Sequence, residues 1–366
     1  MIQKIKYLGL PELMKMKNGT PVTAKNWKKR RAEILELLQE NEFGALPPEP
    51  EYIREAGKVE YGADYGMDGV ARTSVEVVTL ELGYPQGTYR FPVKVYRPVG
   101  AEKPPVIVML NLALEGFFAV QAPPQVLSKG VAVVGLGCND ITLDGPGFDK
   151  GLPALLWPDG RTPGAAAKFM LWGRAMGYVR KYLEQRGDFD MSRVCAAGCS
   201  RFGKTALAAG IFDEGFTHVA AIESGCAGAS IFRGKIGETL KRISETFPYW
   251  FCEKFAEYGD REDELPFDAH FLIAAIAPRK VLITDAYEDF WSDPFNCYLA
   301  CIAASPAYEA LGLPGFIYPD GDKSPGPRYA KPGEYIMDGS IGYFMRNGTH
   351  GCNDEDWAAM TEFLLK

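Results

Sequence analysis

The stretch AAGCSRFGKTALAAG, residues 196–210, sets a serine among small residues, with an arginine directly after it and a lysine four positions on. Gly198, Cys199 and Ser200 fit the first three places of a G-x-S-x-G pattern. The fifth place is Phe202, and the glycine comes one residue later, at Gly203. In that pattern the serine occupies a sharp strand-to-helix turn that exposes its hydroxyl. A Gly-x-Ser turn ahead of a helix is also used simply as a cap. The flanking segments must decide between a nucleophile elbow and a tight join.

Those segments have the right character. RVCAAG (193–198) is a short, continuous apolar run, and 201–213 has the composition of a helix. Four further runs match the first: PPVIVMLNL (104–112), GVAVVGLG (130–137), HVAAIES (218–224) and RKVLITDA (279–286). Continuous apolar runs suit parallel strands buried on both faces. Helical stretches at 165–186, 201–213 and 293–311 separate them, which predicts an α/β three-layer sandwich. Residues 73–81 and 89–97 alternate apolar and polar and predict two antiparallel strands joined by a turn at Gly-Tyr-Pro-Gln-Gly. A last strand is expected at 341–348 and a last helix at 354–365. Residues 24–42 read as an amphipathic helix with Trp27, Ile34, Leu35 and Leu38 on one side and the Lys-Lys-Arg-Arg run on a solvated face. The stretch 312–340, rich in Pro, Gly and Asp, predicts a long loop at the rim of a site. The whole is expected to be one domain, 1–366, with a helical N-terminal extension over about 1–50.

Bulk properties exclude several function classes. A net charge of −7 and a pI near 5.3 argue against nucleic acid as a partner, since that requires a basic face. No apolar run approaches the ~18 residues of a membrane span. MIQKIKYLGLPELMKMKNGT lacks the apolar core and cleavage site of a signal peptide, which predicts a cytoplasmic protein; the alternative is a secreted one whose leader is absent from this sequence. Eight cysteines without a C-x-x-C pair suggest neither a disulfide scaffold nor zinc.

In an open α/β sheet the ligand lies at the carboxyl ends of the strands. Ser200 stands at one such end. The backbone N–H of Arg201, at a helix N-terminus, suits a developing oxyanion. Only three histidines are available. His350, in RNGTHGCND between the last strand and last helix, has the surroundings of a working residue. His218 opens a strand and His270 adjoins an apolar helical run, so both read as structural. The order Ser…acid…His is that of the α/β-hydrolases. Two acids qualify, Glu223 ending HVAAIES and Asp289 following RKVLITDA; either suits the role of orienting His350. Cys199 is set aside as a nucleophile because the elbow exposes the residue after it.

At these residues the chain resembles the glucuronoyl esterases, carbohydrate esterase family 15. GCSRFGK (198–204) is similar to the family's G-C-S-R-x-G-K signature. ESGCAGAS (223–230), GETLKRISETFPYWF (237–251), LPFDAHFLIAAIAPRKVLITDAYEDFWSDP (265–294) and NGTHG (347–351) resemble the blocks that follow it in bacterial members. LPELMKMKNGTPVTAKNWKKRRAEILELL (10–38) is similar to their start, so the resemblance spans nearly the whole chain. It implies an α/β-hydrolase fold with a mostly parallel central sheet. It also implies a metal- and cofactor-free serine hydrolase that cleaves the ester between lignin alcohols and (4-O-methyl-)glucuronic acid of xylan. By resemblance Ser200 is the nucleophile, His350 the base and Arg201 an oxyanion-hole residue. Lys204, Glu238 and Trp291 hold the sugar. Expected partners are glucuronoxylan or small glucuronate esters, with no nucleic acid and no membrane, and the chain is expected to be a monomer. The family uses either a glutamate like Glu223 or an aspartate like Asp289, and both stay open. Fungal members carry a disulfide in a similar place, which would join Cys199 to Cys352. The rival reading is a serine esterase of different specificity, such as a xylan deacetylase or an esterase of small uronate esters.

Overall fold

The computed structural model describes residues 2–61, 73–115, 121–318 and 328–366, the side chains of residues 2 and 3 excepted. Its centre is a ten-stranded sheet. The strands are β1 (Tyr52–Tyr61), β2 (Thr73–Tyr84), β3 (Gly87–Pro98), β4 (Val106–Asn111), β5 (Ala132–Gly137), β6 (Val194–Cys199), β7 (His218–Ile222), β8 (Lys280–Ala286), β9 (Glu334–Ile336) and β10 (Ile341–Arg346). Their spatial order is β1-β2-β3-β5-β4-β6-β7-β8-β10-β9. The run from β5 to β10 is parallel, while β1, β2, β3 and β9 pair antiparallel at the two edges. All five apolar runs of the sequence lie in the parallel part. They are continuous because both faces are covered.

The covers differ in thickness. On one face the helices Lys168–Arg186, Arg201–Phe212 and Pro294–Glu309 pack with the N-terminal segment over Val106, Val108, Ala196, Val219 and Ile283. On the other, Ile107, Met109, Ala197, Ala220 and Leu282 meet a smaller cluster. It is built mainly from the helix Asp354–Leu365 through Trp357, Met360, Phe363 and Leu364. The alternation along β4 shows period-two geometry splitting one apolar run between two cores.

Two expectations need correction. Arg30 and Arg31 do not lie on a solvated face. Arg30 is buried and donates to the carbonyl of Leu13 at 2.9 Å. Arg31 reaches the carbonyls of Ala275 and Ile211, each at 2.7 Å. The apolar stripe of that helix, Trp27–Leu38, does face the core, so these guanidiniums leave it sideways to satisfy carbonyls of neighbouring segments. Second, 312–340 is not all loop, since it contains β9; residues 319–327 lie outside the described residues. The strand β1, which the sequence analysis did not anticipate, carries no apolar alternation because it is a sheet edge exposed on nearly its whole length. Its register is held by β2, and Arg54 joins Arg90 on the buried carboxylate of Glu81.

Phe363 is the main aromatic of the thin cover, lying against Gly342 and beside His218. Phe363→Ala is expected to cost about 3 kcal/mol in urea unfolding, the order found for large buried side chains. A cost below about 1 kcal/mol would mean that this layer does not hold the sheet.

Candidate active site

The turn after β6 carries Ser200 at φ 60°, ψ −124°, a conformation that L residues rarely adopt. Its N–H donates to the carbonyl of Ile222 at 2.8 Å, tying the turn to the end of β7. A Cβ on residue 198 would lie 2.2 Å from the carbonyl oxygen of Phe202, and one on residue 203 would lie 2.9 Å from that of Ile222. Glycine is therefore needed at 198 and 203. Position 202 needs none, since Phe202 is buried edge-on to Trp172. The displaced glycine marks where the helix Arg201–Phe212 touches β7.

A cavity of about 340 Å³ opens above this turn. Ser200, Arg201, Lys204, Glu223, Glu238, Trp291 and His350 all line it, and Asp289 stands directly behind His350. The structure thus brings together every residue singled out in the sequence. His350 is the accessible histidine, its side chain 44% exposed. His218 and His270 are buried, and desolvation lowers them to about 4 and about 3. The described part of 312–340 does not line this cavity, and residues 319–327, on which the reading of a rim also falls, lie outside the described residues.

Two carboxylates share one imidazole nitrogen. Asp289 Oδ2 lies 2.6 Å and Glu223 Oε2 3.0 Å from Nδ1 of His350. Their hydrogen bonds, Asp289 first, raise His350 to about 9 against the opposing effect of burial. Burial also opposes ionisation of Asp289, but its bonds from His350 and Ser292 hold its carboxyl below the usual aspartate range. Glu223 is the more buried acid, and desolvation pushes it up. With Nδ1 committed, Nε2 is the nitrogen left for proton exchange at the cavity. Glu223, Asp289 and His350 lie close enough to hold a metal ion. Glu223, however, already accepts from the Arg346 guanidinium and the Gly351 N–H, a donor set suited to an anion rather than to ligation.

The sequence reading missed two members of this cluster. Asp144, in the loop after β5, binds the Arg201 guanidinium and accepts from Trp250 Nε1 at 2.7 Å. Arg201 also lies over Trp250, 5.0 Å from its ring centre, while Trp250 stacks on Phe247. Acid and ring fix the guanidinium's direction before any ligand arrives. The strand-end rule applied to β5 points to that loop, though not to the residue. Arg346, the other omission, reads as part of a strand and gives no signal of its own.

On the far side, Lys204 is buried and donates to the carbonyl of Ser224 at 2.6 Å. Desolvation lowers its pKa. Glu238 Oε2 is 3.8 Å away, too long for a direct bond. The Glu238 N–H donates to the Trp291 carbonyl at 3.0 Å, which joins the loop at 238 to the one at 291. Trp291 is 51% exposed rather than core. Cys199 and Cys352 are free thiols, so the bridge suggested by the resemblance is not formed.

A parallel sheet with a serine elbow and a late histidine at its strand ends defines the class, an α/β-hydrolase. The family follows from comparison with known proteins. Residues 83–312 match the model of the fungal glucuronyl esterases. A carbohydrate esterase, MZ0003, from an unknown prokaryotic organism is 32% identical, with 97% of this chain and 88% of that one covered. A 4-O-methyl-glucuronoyl methylesterase of Schizophyllum commune is 30% identical over 83% and 74% of the two chains. The solved glucuronoyl esterase from Solibacter usitatus superposes with a TM-score of 0.83 at 28% identity, covering 97% of each chain. The chain belongs to the glucuronoyl esterase family, carbohydrate esterase family 15, and is a carboxylic ester hydrolase.

Gly198→Ala tests the elbow. Its methyl cannot coexist with the Phe202 carbonyl where it stands, so the turn must open and misplace Ser200. Misplacement of about 1 Å costs on the order of 10²-fold in rate. Ester hydrolysis by the folded variant, checked by circular dichroism, is expected to fall by about that factor; an unchanged rate would disconnect the turn from the chemistry.

Proposed function

We propose that this protein hydrolyses the ester on the 6-carboxyl of glucuronic or 4-O-methyl-glucuronic acid, through an acyl-enzyme on Ser200. The observation that carries the reading is the convergence on one cavity of Ser200, a doubly acid-backed His350 and a polar floor with one exposed indole. His350 Nε2 takes the serine proton as the hydroxyl attacks the ester carbonyl. It then hands the proton to the departing alcohol, and water repeats the sequence on the acyl-enzyme. Arg201, held by Asp144 and Trp250, faces the charge that develops on the carbonyl oxygen, where preorganised donors act most strongly. Lys204 and Glu238 receive sugar hydroxyls, and Trp291 packs its face on the ring's C–H surface. The domain reading, one domain with residues up to about 50 as an extension, is part of this proposal. The names of the Schizophyllum commune and Solibacter usitatus relatives support the uronate substrate.

Ser200→Ala is expected to abolish hydrolysis of benzyl glucuronate with the fold intact, leaving only residual catalysis of about 10³-fold over water. Wild-type turnover of benzyl glucuronate should exceed that of benzyl galacturonate and of acetylated xylan. Preference for acetylated xylan would replace this reading with that of a deacetylase.

The acid pair gives a signed pH prediction. His350 must be neutral to act as base, and two carboxylates hold its pKa up. Removing either anion lowers that pKa, so the acid limb of kcat/KM moves to lower pH in Glu223→Gln and in Asp289→Asn. Each single variant is expected to keep measurable activity. The double variant should lose on the order of 10⁴-fold, as for a lost triad acid. A limb that moves to higher pH in both would exclude the shared role.

A further inference from the structure

Arg346 closes β10 and is buried, 3% exposed. Its Nη2 donates to Glu223 Oε1, to the Thr349 carbonyl at 3.0 Å and to the Gly351 carbonyl. Its Nη1 donates to the Asn347 carbonyl at 3.0 Å, and its Nε to Asp356 Oδ2 at 2.9 Å. One guanidinium therefore binds the residues on both sides of His350, one of the two acids behind it, and the residue that completes the cap of the last helix. Asp356 also accepts from Thr284 on β8 at 2.8 Å. Glu223 in turn accepts from the Gly351 N–H. The histidine loop thus closes on itself through Arg346 and Glu223.

We propose that Arg346 is a positioning residue for the acid pair behind His350: it engages Glu223 as a structural anion that clamps the His350 loop while still facing Nδ1, and leaves Asp289, the nearer acid, with the imidazole as its main charged partner. The inference rests on the serine-esterase reading above. The distances fit this arrangement. Asp289 is the nearer acid to Nδ1, and among the described side chains its other partner is the neutral Ser292. Glu223 is shared among Arg346, Gly351 and His350. The remaining titratable groups around Glu223 are Asp285 of β8, Asp356 of the last helix, and the thiols of Cys199 and Cys352. Desolvation pushes the two thiols and the Asp285 carboxyl up, toward their neutral forms. Arg346 is then the one permanent cation next to Glu223 among the described residues. Without it, burial favours the protonated acid, and Glu223 would titrate alongside His350.

The test measures pH profiles of 4-nitrophenyl acetate hydrolysis, a substrate that makes no demand on the sugar subsite. In the wild type the acid limb of kcat/KM should follow one ionisation. In Arg346→Met it should follow two, with kcat lower by about 10²-fold, the order for a misplaced reacting group, and KM within about twofold. In Arg346→Met/Glu223→Gln the second ionisation should vanish. Arg346→Lys keeps the charge but not the fork of donors. It should lose kcat while keeping a single-ionisation limb, and it carries the test if Arg346→Met does not fold. A wild-type kcat in Arg346→Lys, a single-ionisation limb in folded Arg346→Met, or a second ionisation that survives in the double variant overturns the proposal. Activity surviving in Ser200→Ala would instead defeat the serine mechanism and is read separately.

Discussion

Holding Ser200 at φ 60° sets a condition that much of the surrounding structure meets. Such a conformation costs on the order of 1–3 kcal/mol and persists only where neighbours over-determine it. Here the Ser200 N–H is bound to β7, the preceding glycine lets the next turn of chain pass overhead, and the glycine at 203 brings the helix Arg201–Phe212 against Ile222 and Ser224. Glu223 itself has φ 45° just beyond β7. Two strained residues therefore sit on adjacent strand ends, and the bond from the Ser200 N–H to the Ile222 carbonyl ties the first turn to the residue just before the second.

Charge is handled with the same economy of partners. Glu223, Asp289 and Asp356 lie near one another in a nearly dry region, with one arginine and one histidine among them. Burying several carboxylates is tolerable only when each is paired and hydrogen-bonded. Arg346 serves two of them, and the imidazole lies against two. The consequence is a histidine held basic by its surroundings, which suits the role proposed for it, that of a base whose cation must be stabilised while the ester carbonyl carries negative charge. At the opposite wall, Arg201 is already engaged by Asp144 and Trp250, and Lys204 by the Ser224 carbonyl. These two cations are oriented before substrate enters, so little reorganisation of them remains for the proposed reaction step.

The thin and thick covers of the sheet bear on where this cavity lies. The helix Asp354–Leu365 starts at a capping box made by Asn353 and Asp356, and Asp356 is also the Arg346 partner. Packing of the smaller core and placement of the His350 loop therefore share a residue. A single hydrogen bond, from Arg346 to Asp356, therefore links the start of that helix to the His350 loop.

What was legible in the sequence was whatever leaves a periodic or local trace. The apolar runs of the five central parallel strands, the helices after them, the serine turn, the late histidine and both acids follow from patterning and from the rule that sites lie at strand ends. The displaced glycine, by contrast, becomes intelligible only once β7 is seen against the helix after Ser200. Asp144, Arg346, the inward-turned Arg30 and Arg31, and the exposed edge strand β1 could not be read from the chain. Their roles depend on partners far away: Arg346 and Glu223 are 123 positions apart, Arg201 and Asp144 57. Periodicity reports which face of an element is buried, because burial of apolar area is additive and local. Which charge meets which across the strand ends depends on sheet order, and only the tertiary structure decides that.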